Sequence, residues 1–409
     1  MKATVSWVRT APTSPDLAGR LRGLTSLQRA LALVVGVALA AGCGSDTTSA
    51  PNVRPSVAAP TVTATASTTV DSPTTAVVAP TDSAPTVLSV AAVSTTPTVV
   101  ASGLEVPWSL AFLPNGAALV TERDSARILQ LQPGEKPVEQ RVVAGAKPTG
   151  EGGLLGIAVS PTYSSDGFVY AYYTTETDNR ITRFRLNTPE ETVLLAGIPK
   201  ASNHDGGRLA FGPDGLLYAT TGDAGDKDLA QDGESLAGKI LRLNPNGTIP
   251  TSNPNPLSPM YSRGHRNVQG LAWDDQGRLW ASEFGQNTTD ELNLIEPGKN
   301  YGWPDCEGPC DKDGMTNPAV TWPTSEASPS GLAFRDGNLY MAALKGTRLW
   351  RIPVTTSGTG TPEALFKDTY GRLRAVATAP DGSLWFSTSN RDSRGEPKAD
   401  DDHIYAVNP

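Results

Sequence analysis

One motif recurs six times between residues 97 and 409, and it limits what the chain can fold into more than any other feature. Each copy is a small apolar triplet, a Gly-bearing turn, an apolar-aromatic strand, and a polar turn leading to another strand. The first three triplets are Leu110-Ala-Phe before Pro-Asn-Gly, Ile157-Ala-Val before Ser-Ser-Asp-Gly, and Leu209-Ala-Phe before Pro-Asp-Gly. Leu271-Ala-Trp then precedes Asp-Gln-Gly, Leu332-Ala-Phe precedes Arg-Asp-Gly, and Val376-Ala-Thr precedes Pro-Asp-Gly. Asp-Gly or Asn-Gly between alternating strands signals a tight hairpin. Successive triplets lie 44 to 62 residues apart, which suits one four-stranded sheet plus variable loops. The expected fold is therefore all-β, a six-bladed β-propeller over residues 97–409, in which radial repetition leaves few open sheet edges. A β-sandwich does not repeat one motif six times. The last copy ends in His403-Ile-Tyr-Ala-Val-Asn-Pro, and a strand from about Pro97 to Leu104 is expected to complete it. Ligands of such rings sit at one mouth of the central channel, where loops from different blades meet.

The N-terminal segment reads differently. Residues 1–29 carry Lys2, Arg9, Arg20, Arg22 and Arg29 with Asp16 as the sole acid, and an apolar run from Ala30 to Ala41 follows. A basic segment, a short apolar core and small residues ahead of a cleavage point describe a secretory signal. The run is too short to span a bilayer comfortably. The ending Leu39-Ala-Ala-Gly-Cys43 resembles a bacterial lipoprotein signal, in which Cys43 becomes the lipid-bearing first residue. Residues 1–43 are thus expected to be a lipoprotein signal peptide. Residues 44–96, nearly all Ser, Thr, Pro, Ala and Val, are expected to be a disordered linker holding the domain away from the membrane. A net charge of −8 argues against nucleic acid and against a polybasic membrane patch. Membrane contact is then through the lipid anchor alone, on the extracytoplasmic side.

The chain has three histidines. His204 stands in Ala-Ser-Asn-His-Asp-Gly-Gly-Arg, just before the third inner strand, where a loop residue can face the channel. An imidazole titrating near 6.5 can take a proton from an alcohol as hydride leaves, oriented by Asp205 or a neighbouring carboxylate. His265 sits beside Arg266 and reads as a neutral structural residue; His403 reads as a surface or pairing residue. Arg266, Lys345, Arg372 and Arg374 occupy what look like equivalent loops of blades 4, 5 and 6. Strand alternation puts Arg372 and Arg374 on one face. Such a group of cations in an acidic protein implies a ligand with several carboxylates or phosphates. The stretch from Gly264 to Pro304 adds Asn267, a Gly285-Gln286 turn able to present carbonyls to a hard cation, and the carboxylate of Glu291. Those parts suit an anionic or carbonyl-bearing ligand beside calcium.

From roughly residue 100 onward the chain resembles the pyrroloquinoline quinone (PQQ)-dependent sugar dehydrogenases, which include soluble quinoprotein glucose dehydrogenase and the aldose sugar dehydrogenases. The resemblance rests on VPWSLAFLPNG, GEGGLLGIA, NHDGGRLAFGPDG, GKILRLNPNG, GHRNVQGLAW, NYGWP, ALKG and RLR. It implies that His204 is the proton acceptor and that Arg266 polarises the reactive quinone carbonyl. Glu151, Arg266 and Asn267 would contact the cofactor, with Ala343, Leu344, Lys345, Arg372, Leu373 and Arg374. It also implies calcium held by main-chain oxygens at Gly285-Gln286, and a second calcium at Glu291 and the Tyr301 carbonyl. The reaction implied is oxidation of an aldose sugar to its lactone, with electrons passed on to an external acceptor, a quinone or a redox protein.

The chain departs from that family at Glu151, where glutamine is common, and at Asn203, where the glucose enzyme has an acid. The loop Asp305–Gly314 lacks the family's aromatic and carries Cys306 and Cys310 instead. Their four-residue spacing in an exported protein suggests a local disulfide, a metal-ligating role being the alternative. Two other functions compete. A non-enzymatic calcium-binding propeller, like the hedgehog-interacting-protein relatives, would have no need of His204 and the cations. A calcium-dependent lactonase would need carboxylates at the channel centre.

Overall fold

The computed structural model describes residues 96–408; the leader, Cys43 and the linker up to residue 95 lie outside the described residues. Six antiparallel sheets follow one another in chain order, as the six copies of the motif require. Blade 1, for example, runs through Pro107–Phe112, Ala118–Glu122, Arg127–Leu131 and Val138–Val142. The innermost strands of the other five blades are Leu154–Val159, Leu209–Phe211, Val268–Trp273, Pro329–Arg335 and Leu373–Thr378. Every apolar triplet lies on one of these. Blade 6 is closed by Thr98–Ala101, which pairs antiparallel with Ile404–Val407, so the ring is completed by its first strand as expected. Among the described residues no helix is long and apolar enough to cross a membrane.

Burial explains why one triplet is repeated. Six apolar clusters fill the six junctions between neighbouring sheets. At the junction of blades 3 and 4, Tyr218 and Ile240 of one sheet meet Val268, Leu271 and Leu279 of the next. A sheet in this position is apolar on both faces, so its inner strands read as short apolar runs instead of clean alternation.

A second regularity holds the blades in phase. At one equivalent position near the end of the second strand, a hydroxyl donates to a backbone carbonyl of the following blade: Thr121 to Leu155 and Thr220 to Val268. Ser282 donates to Ser330, and Ser387 closes the circle onto Pro107. Tyr172 reaches Asp205 from the same position in blade 2. In blade 5 that position is Ala342, so the seam between blades 5 and 6 alone lacks this bond. Each bond of this kind stabilises by about 1 kcal/mol.

Candidate active site

A cleft of about 570 Å³ opens at one mouth of the channel. Its walls come from separate blades. His204 and Asn203 stand on the connection into blade 3, and Arg266 and Asn267 on that into blade 4. Lys345 lies after the second strand of blade 5, and Arg372 and Arg374 at the entry to blade 6. The cationic residues therefore converge, with one correction. Lys345 is not in a loop equivalent to those of Arg266 and Arg372, because it follows a second strand instead of preceding an inner one. Both kinds of turn emerge at the same mouth.

His204 is held from three sides. Its φ of 61° places it in the left-handed region, uncommon for a residue with a side chain and a recurrent feature of functional loops. Its amide donates to Glu151 Oε2 at 3.0 Å, and its carbonyl accepts from Ala224 at 3.2 Å. The close approach needs glycine at Gly222, where a Cβ would lie 1.8 Å from that carbonyl oxygen. The ring Nδ1 lies 2.7 Å from Asp223 Oδ1. Asp223 also accepts from Trp303 Nε1 at 2.9 Å. Burial opposes ionisation of Asp223, yet the bonds from His204, Gly225 and Trp303 hold it below the usual carboxylate range. An ionised Asp223 accepts a hydrogen bond from Nδ1–H, which leaves the lone pair on Nε2, the arrangement a general base requires.

The sequence reading offered Asp205 or a neighbour as the orienting acid; the neighbour is Asp223. Asp205 turns away, accepting from Asn179 Nδ2 at 2.9 Å and from the Ala201 amide. Burial pushes its carboxyl up to about 6. Asp223 sits in Thr-Gly-Asp-Ala-Gly, which looks like an ordinary turn, so nothing local marked it.

Arg266 faces the cleft with few protein partners. One guanidinium nitrogen reaches the Phe284 carbonyl at 3.4 Å, and Nε is buried with no partner. Its plane lies 5.5 Å from the Trp303 ring centre. Burial lowers its pKa against the pull of Asp223 and Glu283. A buried donor left unmade is costly unless a ligand completes it. His265 is structural, as expected: it is fully buried, with Nδ1 2.8 Å from Glu283 Oε2 and its ring stacked on Tyr301. Asn267 lines the cleft and accepts from the Gly206 amide at 3.0 Å.

The opposite wall is built around Asp392, which the sequence did not single out. Arg372 binds both of its oxygens, at 3.0 and 2.8 Å, and Arg374 binds one at 3.1 Å. The two arginines do share a face. Burial brings Arg374 down to about 10, so it stays a cation. Arg394 crosses the mouth to Glu151 at 2.7 Å. This pairing neutralises the acid that stands where glutamine was expected. Lys345 has no ion-pair partner among the described residues. With Arg123 also on the wall, cations exceed the cleft's acids in a chain whose overall charge is −8.

Two residues expected at the site fall elsewhere. Ala343 and Leu373 are fully buried in the blade cores, Leu344 being the apolar neighbour that does reach the cleft. In RLR, strand alternation sends the middle side chain inward. Gln286 is exposed at the tip of its turn. Its amide and those of Asn287 and Thr288 converge on Glu307 Oε1 at 2.6 to 2.8 Å, while Asp290 accepts from Gly285. His403 is buried, not on the surface, and pairs with Asp400 and Asp401.

Behind Arg266 a small cavity is lined by Gly285, Glu283, Glu291, Tyr301 and Glu307. Burial and the neighbouring Glu283 push Glu291 up to about 8, and both acids take the Asn293 amide. Asn293 Oδ1 has no partner. Among the described residues no group of three or more metal-ligating side chains is gathered. Any ion here would depend on carbonyl oxygens as well as carboxylates. Cys306 and Cys310 form a disulfide with Cα atoms 5.9 Å apart, as expected, and Cys306 borders this cavity.

Fold and site together define a class: a closed six-bladed ring carrying an aspartate-held histidine opposite a set of cations. The family model for Glucose / Sorbosone dehydrogenase matches residues 104–395, and the chain belongs to that family. Its structure resembles the PQQ-bound form of aldose sugar dehydrogenase from Streptomyces coelicolor. The two are 50% identical with a TM-score of 0.73, over 77% of this chain and 99% of that one. Quinoprotein glucose dehydrogenase B of Acinetobacter calcoaceticus is 36% identical over 256 residues, 53% of this chain and 54% of its own length. Aldose sugar dehydrogenase YliI of Escherichia coli is 28% identical over 341 residues, 73% of this chain and 90% of that protein.

Proposed function

We propose that this chain is a PQQ- and calcium-dependent dehydrogenase that oxidises aldose sugars to lactones. The observation that carries the reading is the His204–Asp223 pair facing under-partnered cations in one cleft. The donor set fits the cofactor. Among the described residues Lys345 is unpaired and Arg266 Nε has no partner, and Arg372 and Arg374 share a single carboxylate, so the walls have positive charge to spare for a tricarboxylate. When bound, PQQ would supply the hydride acceptor for the reaction.

The chain's own residues would do the rest. His204 Nε2 takes the proton of the anomeric hydroxyl as the C1 hydrogen leaves with its electron pair. Asp223 keeps the imidazole in the right tautomer and stabilises its charged form afterwards. Arg266, backed by Trp303, sets a fixed positive charge beside the reacting carbonyl position. Main-chain oxygens of the Gly285–Gln286 turn would hold calcium, and Glu291 and the Tyr301 carbonyl would hold a second ion. Burial and Glu283 oppose ionisation of Glu291, a cost that a divalent cation there would offset. Electrons would pass to an external quinone or redox protein.

A purely binding propeller has no use for a poised base, and a lactonase would need acids where this cleft has arginines. The test is to mix the purified protein with PQQ and Ca²⁺ and follow dye reduction with a panel of aldoses. Saturable, sugar-dependent reduction is expected; absence of both reduction and PQQ binding overturns the reading. We further infer from Leu39-Ala-Ala-Gly-Cys43 an exported, lipid-anchored protein. Radiolabelled palmitate should label the full chain and not its Cys43→Ser variant.

A further inference from the structure

Glu307 holds a single carboxylate oxygen under four consecutive backbone amides. Gln286, Asn287, Thr288 and Thr289 donate to its Oε1 at 2.6, 2.7, 2.8 and 3.3 Å. Successive amides converging on one oxygen form a nest for an anion, and here the chain supplies that anion itself. A trans peptide is planar, so the N–H of one residue points opposite to the C=O of the residue before it. Each amide that Glu307 draws in therefore turns a carbonyl away from it, and the first two are those of Gly285 and Gln286. Gly285 borders both the active-site cleft and the small cavity behind Arg266. It has no room for a side chain, because a Cβ there would lie 1.8 Å from the Thr289 carbonyl oxygen and 2.9 Å from Glu307 Oε1.

Glu307 is fixed in turn by a small covalent loop. The Cys306–Cys310 disulfide brackets it. The Cys306 amide donates to the Gly302 carbonyl at 2.9 Å, and the Cys310 amide to Asn317 Oδ1 at 2.8 Å. The amide of the next residue, Gly308, donates to Glu291 Oε1 at 2.7 Å. Two adjacent residues of this loop thus reach the Gly285–Gln286 turn and Glu291 together.

We propose that Glu307 is a positioning residue: held by the Cys306–Cys310 loop, it gathers the amides of residues 286–289 and so presents the Gly285 and Gln286 carbonyls to a divalent cation. A turn preset in this way loses less freedom when the ion binds. The inference rests on the reading of that turn as a calcium site and deepens it by naming the group that orients the carbonyls.

Gly285-Gln286 is the sole Gly-Gln pair in the chain. In full-length protein carrying carbonyl-¹³C glycine and ¹⁵N glutamine, one amide–carbonyl NMR correlation therefore reports this peptide alone. Ca²⁺ is titrated without sugar, first without and then with PQQ. A saturable shift of the Gly285 carbonyl is expected in the wild type. Glu307→Ala should weaken that binding at least about tenfold, whereas Glu307→Gln, whose side-chain oxygen can accept the same amides, should stay within about threefold. Equal affinity in all three proteins overturns the proposal, even if the alanine variant has a lower Tm. A loss in the glutamine variant as large as in the alanine variant also overturns it, because the charge of Glu307 or direct ligation would then be what matters. If Glu307→Ala does not fold, Cys306→Ser/Cys310→Ser decides: weaker binding at the same resonance supports the proposal, and unchanged binding overturns it. A wild-type carbonyl that ignores Ca²⁺ in both titrations removes calcium from the turn and this role with it, and leaves the oxidation of aldoses untouched.

Discussion

The two walls of the active-site cleft are built on different physical terms. On the side of blades 3 and 4, Asp223 links His204 to Trp303 by short hydrogen bonds, and the buried Glu283 accepts from the Arg266 amide. The Thr220 and Ser282 hydroxyls also tie these blades to their neighbours. On the side of blades 5 and 6, Lys345 is unpaired among the described residues, and two arginines share Asp392. Arg394 reaches across to Glu151, and Ala342 leaves that seam without its hydroxyl bond. A proton acceptor must be placed to a fraction of an ångström, whereas a multiply charged ligand is held by summed charge over several contacts. Geometry is concentrated where chemistry needs it, and free charge where binding needs it.

The largest break in this contrast should come from His204→Ala. Turnover is expected to fall by at least about two orders of magnitude with PQQ affinity retained, measured by dye reduction at saturating PQQ and by titration. Asp223→Asn should lower turnover by roughly 30-fold, because an amide can stabilise the wrong ring tautomer; near-normal turnover would remove Asp223 from its assigned role.

Asp205 tests whether the catalytic wall is built at a cost to stability. Its carboxyl is pushed up from 3.8 to about 6 by burial, so the native state holds the proton more tightly than the unfolded chain. That contribution is present below about pH 4 and lost as pH rises through about 6. The wild type should therefore lose about 2 kcal/mol more than Asp205→Asn between those limits, read from urea denaturation at each pH.

On the other wall, Arg372→Ala should weaken PQQ binding about tenfold while saturated turnover survives; a collapse in turnover instead would erase the distinction between the walls. The smallest effect belongs to the seams. Ser282→Ala should cost about 1 kcal/mol, visible as a lower Tm, and Ala342→Ser should recover a similar amount if the seam of blades 5 and 6 can accept the bond.

The sequence by itself determined the ring. Six apolar triplets followed by Gly turns require sheets buried on both faces, and a terminal repeat one strand short requires Thr98–Ala101 to close it. It also determined the chemical inventory of the cleft, since a histidine before one inner strand and cations before others must come together at a channel mouth. The partners of those residues were decided by the tertiary structure alone. Asp223 is 19 residues from His204, Trp303 is 80 from Asp223, and Arg394 is 243 from Glu151. The same holds for which neighbouring residues face the cleft. Leu344 faces the cleft and Leu373 the core because neighbouring blades fill one side of each strand. Hydrogen bonds between loops of different blades depend on the closed ring, and no local pattern in the chain encodes them.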